Sequence, residues 1–177
     1  MKTTERPVPP WAYWLAHAIP FMTLPSGLWR LGLVAGSSMG VTNDAGHPIY
    51  LEGTGETIYV IFLSLFSEAV ALIAFGLVKP WGEVAPRWIP FIGGRRVNPY
   101  AAIVPAVLGA LCLIAIWTYG FRDLFTNHFI PFSSPAWKTL MIACYAPLQL
   151  WGPALLVLTW AYYRRRVSVP VALVSAR

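Results

Sequence analysis

The run 57–78, TIYVIFLSLFSEAVALIAFGLV, decides the fold. Its length, at about 1.5 Å rise per residue, gives roughly 33 Å of helix, enough to cross the hydrocarbon core of a bilayer. Glu68 is its only charge. Ser64, Ser67, Glu68, Ala71 and Ala74 recur at spacings of three and four, so they share one helix face. Phe62, Leu63, Leu65, Phe66, Val70, Leu72 and Ile73 fill the other faces and suit lipid or tight packing. A carboxyl group at that depth is costly and is expected to face a bundle interior or a wet cavity.

Composition carries this reading to the whole chain, which is 57% hydrophobic and only 11% charged. Its mean hydropathy is +0.59. The 177 residues leave room for four spans with short connections and little for a soluble domain. Three further apolar runs, at about 11–36, 100–119 and 137–163, complete the set. The expected fold is one all-α membrane domain over 1–177, a bundle of four transmembrane helices.

The net charge of +6 would suggest nucleic acid in a soluble protein, but here the basic residues flank apolar runs, so no nucleic-acid partner is expected. With four spans, Lys2, Arg6, Lys79, Arg87, Arg95, Arg96, Arg164, Arg165, Arg166 and Arg177 fall on one side. Only Arg122 and Lys138 fall on the other. The positive-inside rule then predicts both termini in the cytoplasm, in a multi-pass protein of the bacterial inner (plasma) membrane. The first run is too long for a cleaved signal, contains Arg30 and lacks a clear small-x-small site, so it reads as a retained span.

Within the first span, Trp11, Tyr13 and Trp14 look like an interfacial belt, and Pro20 and Pro25 predict a kink or break near Pro25. Residues 37–56 form a loop in which Asn43-Asp44-Ala45-Gly46 reads as a turn. The central loop, 79–99, mixes Trp81, Trp88 and Phe91 with Lys79, Arg87, Arg95 and Arg96. That mixture suits a headgroup layer, so anionic lipid headgroups are expected partners there. Ala102, Ala106, Gly109 and Ala110 form a small-residue stripe that would let a neighbouring helix approach closely.

The stretch 67–97, SEAVALIAFGLVKPWGEVAPRWIPFIGGRRV, resembles small four-span membrane proteins of actinobacteria. The likeness rests on its Lys-Pro-Trp-Gly and Gly-Gly-Arg-Arg elements. It implies the four-span topology, and it implies no activity, since none is established for that group.

The candidate site gathers around Glu68. Arg30 lies about 9 Å and Glu68 about 16 Å from the same end of their helices at helical rise, so a side-chain pair is feasible. Ser67, Tyr145 and Gln149 fall at comparable depth and could complete a polar cluster. Such a cluster could bind a small molecule or a proton; it could equally be a structural ion pair, with Arg30 instead snorkelling to the surface. Asp44, His47, Glu52, Asp123 and His128 on the loops match no short metal motif. Cys112 and Cys144 form no redox motif and read as small core residues. His17 reads as an interfacial hydrogen-bonder. No phosphate loop, dinucleotide fingerprint or nucleophile elbow occurs, and no cofactor or metal is expected.

Three functions fit these features. The first is a membrane protein that binds or moves a small or lipophilic molecule through an outward-facing polar pocket. The second is a membrane-embedded enzyme on a lipid or isoprenoid substrate, with Glu68 as general acid or base. The third is an accessory subunit whose small-residue stripe packs on a larger membrane-protein partner, or on a second copy of itself.

Overall fold

A computed structural model describes residues 7–84, 94, 96–125 and 131–167, with backbone alone at 124 and 125. The described residues form α1 (Pro10–Val34), α2 (Thr54–Ile73), α3 (Pro99–Phe125), α4 (Pro135–Tyr145) and α5 (Leu148–Arg166). A 3-10 turn at Ala74–Leu77 prolongs α2, and a second follows at Pro80–Gly82. No strand occurs among the described residues, only three isolated bridges. Three helical stretches are long and apolar enough to cross a membrane: Thr54–Leu77, Pro99–Asp123 and Pro135–Arg166.

The last of these stretches contains the break that the sequence reading placed near Pro25. α1 runs uninterrupted through Pro20 and Pro25. The ladder is broken instead between α4 and α5, at Pro147, which has no N–H to offer. Ala146 N–H still reaches the Ile142 carbonyl at 2.8 Å. Gln149 and Leu150 N–H then bond to the Ala146 and Pro147 carbonyls at 3.1 and 3.0 Å, which tightens the turn. α1 packs along α2, α5 and α4, so its neighbours hold the turns that its prolines weaken.

The helices pack in the order α2, α1, α5, α3, with α4 also on α1. α2 and α3 make no substantial contact among the described residues, so the helices form an open row. Consequently only 6% of the apolar window of α3 is buried, and Val104, Leu108, Leu111 and Ile116 face outward. α3 meets α5 through the small-residue stripe, with Ala110 fully buried. Gly152 of α5 completes that contact: a Cβ there would come 2.6 Å from Ile114 Cγ1 and 2.9 Å from the Ala110 carbonyl. Gly109 faces open space and takes no part. Cys112 is exposed, so it is no core residue, while Cys144 is half-buried.

At one end of the row, α5 clamps the chain that follows α2. Arg165 pairs with Glu83 at 2.7 Å and donates to the Leu77 carbonyl at 3.1 Å. Tyr162 Oη donates to the Gly82 carbonyl at 3.0 Å, and Arg166 to the Val97 carbonyl at 2.9 Å. Gly82 itself lies so close to the Gly76 carbonyl that no side chain fits at that position. His17 bonds the Tyr13 carbonyl at 2.8 Å and sets its ring edge-on to Phe75. Arg87 and Arg95, two of the arginines expected to meet lipid headgroups, lie outside the described residues.

At the other end, the two loops meet. Thr42 N–H bonds the Pro131 carbonyl at 2.9 Å, and Ser133 N–H bonds the Gly40 carbonyl at 2.8 Å. The expected turn is present: His47 N–H bonds Asn43 Oδ1 at 2.8 Å, and Gly46 takes φ +81°. Trp29 sits below this junction, edge-on to Phe132 and Trp137.

Candidate ligand-binding site

The site begins with a polar stripe on α1 that the sequence reading passed over. Thr23, Ser26 and Arg30 follow Ala12, Ala16 and Ile19 at spacings of three and four, and all six are buried. The helix therefore turns its polar groups inward and leaves Phe21, Leu24, Leu28 and Leu31 exposed.

Glu68 projects from α2 onto this stripe, beside Gly27. Its Oε1 lies 2.7 Å from Thr23 Oγ1, which also lies 2.7 Å from the Pro20 carbonyl. A hydroxyl carries one proton and can donate fully to only one of these oxygens. Thr23 Oγ1 is thus shared as a donor between the Glu68 carboxyl group and the Pro20 carbonyl. Ser26 Oγ donates to the Thr23 carbonyl at 2.8 Å and receives a bond from an Arg30 Nη at 3.1 Å.

Arg30 thus reaches Ser26, which bonds the Thr23 backbone carbonyl, while Glu68 meets the Thr23 hydroxyl; the direct ion pair is absent among the described residues. No carboxylate lies within ion-pair distance of Arg30 among the described residues. Nor does Arg30 snorkel: it is 8% exposed and reaches back one turn toward Ser26. Its Nε is buried with no partner.

The other expected members divide between two roles. Ser67 spends its hydroxyl on the Leu63 carbonyl of its own helix at 2.7 Å. Gln149 Nε2 donates to the Trp117 carbonyl at 3.2 Å, tying α5 to α3. Tyr145 sets its ring 6.0 Å from that of Trp117. Trp117 Nε1 is buried without a partner. Trp117 had no polar signature in the sequence, because its indole reads as one more apolar residue in a span.

Two cavities open beside this cluster, sharing the Trp29 wall. One, of about 420 Å³, is lined by Phe21, Leu24, Pro25, Leu28, Trp29, Met39, Leu140 and Cys144. The other, of about 550 Å³, runs under the loops and is lined by Trp29, Leu33, Val41, Ile49, Tyr50, Leu51, Glu56, Phe132, Met141 and Tyr145. The walls are mainly apolar, with polar groups concentrated at Tyr50, Glu56 and Tyr145. Glu68 lines neither of them. No group of three metal-ligating side chains occurs among the described residues; His128 lies outside them.

The fold is therefore all-helical over the described residues, with three helices long and apolar enough to cross a membrane. No protein-family model, curated protein or solved structure matches this chain.

Proposed function

We propose that this is a four-span protein of the bacterial inner membrane that holds or moves a small lipophilic molecule in the outward half of its helices. α1 supplies the fourth span. At about 1.5 Å per residue its 25 residues reach roughly 37 Å. It is not among the three stretches apolar enough by composition, yet its Thr23, Ser26 and Arg30 are buried. Its lipid-facing side is apolar, and the ends of the described helices keep the charge asymmetry that favours an inward N-terminus and C-terminus.

The observation that carries the functional reading is the pair of cavities meeting at Trp29, apolar along α1 and α4 and polar beside Tyr145. Apolar walls with few convergent polar groups are the usual form of a small-molecule site. General acid–base chemistry at Glu68 has less support, since that carboxyl group is engaged by Thr23 and lines neither cavity. An accessory role draws support from the broad exposed face of α3.

Native mass spectrometry of the full chain from mild detergent tests the reading. A bound lipophilic adduct is expected, and Leu140→Trp, which fills the apolar cavity, should displace it. Retention of the adduct by that variant would remove the cavities from the function. Topology is checked by reporter fusions: cytoplasmic after Arg96 and Arg166, outside at Gly46. A cytoplasmic signal at Gly46 would sink the four-span arrangement.

A further inference from the structure

The larger cavity gathers aromatic rings around a single charged side chain. Trp29, Tyr50, Phe132 and Tyr145 line it together with Glu56, and aliphatic side chains and Met141 complete the wall. Trp29 and Phe132 stand 6.4 Å apart at 63°, so their rings form two non-parallel sides. Glu56 is exposed in the first turn of α2 and has no ion pair among the described residues. No lysine or arginine lines the wall; Arg30 borders neither cavity and is buried against Ser26. The segment 37–56, which supplies Tyr50 and Glu56 to the wall, also carries Asp44 and Glu52 and contains no lysine or arginine.

We infer that this cavity binds an alkyl-substituted organic cation, held among its aromatic rings with Glu56 as counterion. This rests on the reading of the cavities as a ligand site and adds the charge of the ligand. The faces of aromatic rings carry negative potential, and several rings around one space are the arrangement that takes a substituted ammonium. An anion would meet that potential and a carboxylate, with no basic side chain on the wall to answer it. A bare metal ion needs several oxygen ligands, and Glu56 is the one carboxylate on the wall. The alkyl substituents match the aliphatic remainder of the lining, and the volume of about 550 Å³ is that of an ordinary small-molecule site. Asp44 and Glu52 add a negative field on the same loop that draws cations toward this end of the molecule.

The test compares benzyltrimethylammonium, its uncharged carbon isostere neopentylbenzene and the anion 4-tert-butylbenzoate on the full chain in a non-ionic detergent. Equilibrium dialysis against the same detergent without protein gives the dissociation constants and subtracts uptake by micelles. Benzyltrimethylammonium should bind about tenfold more tightly than neopentylbenzene, the size of a desolvated cation–π contact. Glu56→Gln should weaken the cation by about threefold, as a screened ion pair does, and leave neopentylbenzene unchanged. Tyr50→Leu removes one ring and should also weaken the cation by about threefold. Both side chains are exposed, so neither change disturbs the buried core. Equal binding of the cation and its isostere to the unmodified chain overturns the charge and leaves the cavity reading standing. Tighter binding of 4-tert-butylbenzoate than of the cation overturns its sign. Cation binding that neither variant weakens removes this cavity as the site. Binding of none of the three overturns the inference, while the cavity reading is judged separately by the adduct that Leu140→Trp should displace.

Discussion

Two arginines are buried in this chain to nearly the same depth, Arg30 at 8% exposure and Arg165 at 7%. Arg165 is answered on several sides: Glu83 at 2.7 Å, the Leu77 carbonyl at 3.1 Å and the Tyr162 ring beneath its guanidinium. Arg30 has Ser26 and an idle Nε. The first arrangement is that of a clamp, whose work is finished when the chain has folded. The second leaves one donor of a buried guanidinium without a partner. Equal burial thus goes with unequal pairing, an ion pair in one case and a single hydroxyl in the other.

The contrast can be broken most readily at the clamp. Arg165→Met should destabilise the protein by about 2 kcal/mol, because Glu83 loses its 2.7 Å partner, keeping Arg166 at 4.0 Å, and the Leu77 carbonyl loses this donor. Thermal unfolding in detergent measures this. Thr23→Val should cost about 1–2 kcal/mol, since Glu68 then loses its hydroxyl partner. By contrast, Arg30→Met should change stability by less than about 1 kcal/mol without ligand, because no carboxylate is left behind unpaired. A loss as large as that of Arg165→Met would erase the distinction. The smallest effect belongs to Glu68→Gln, within about 0.5 kcal/mol, because the amide oxygen can still accept from Thr23 Oγ1. Combined with Arg30→Met it should be nearly additive, as two groups joined only through Ser26 and Thr23 should be.

The helices and one turn were legible in the sequence because each rests on local chemistry: apolar runs of bilayer length, and Asn43 with Gly46 in a loop. The cluster was legible in part. Glu68 does face α1, at Thr23, while Ser67 turned back to its own helix, as serines in helices commonly do. Thr23 and Ser26 could have been found by extending from Arg30 the helical spacing applied to Glu68. Trp117 could not, since whether an indole N–H finds an acceptor depends on the neighbouring helix. The position of the break was equally beyond reach. Pro25 lies within a continuous helix and Pro147 at the break, although each is a proline inside a long apolar run.

The inward polar stripe of α1 has a consequence for how the protein is made. An isolated helix bearing Pro20, Pro25, Thr23, Ser26 and Arg30 is a weak candidate for partition from the translocon into lipid. Its apolar exterior exists only once α2 and α5 cover the stripe, and α2 emerges next. With α1 as the proposed fourth span, the two should therefore leave the translocon as a hairpin, closed across the Thr23–Glu68 hydrogen bond, with α1 held at the interface until its partner has been synthesised.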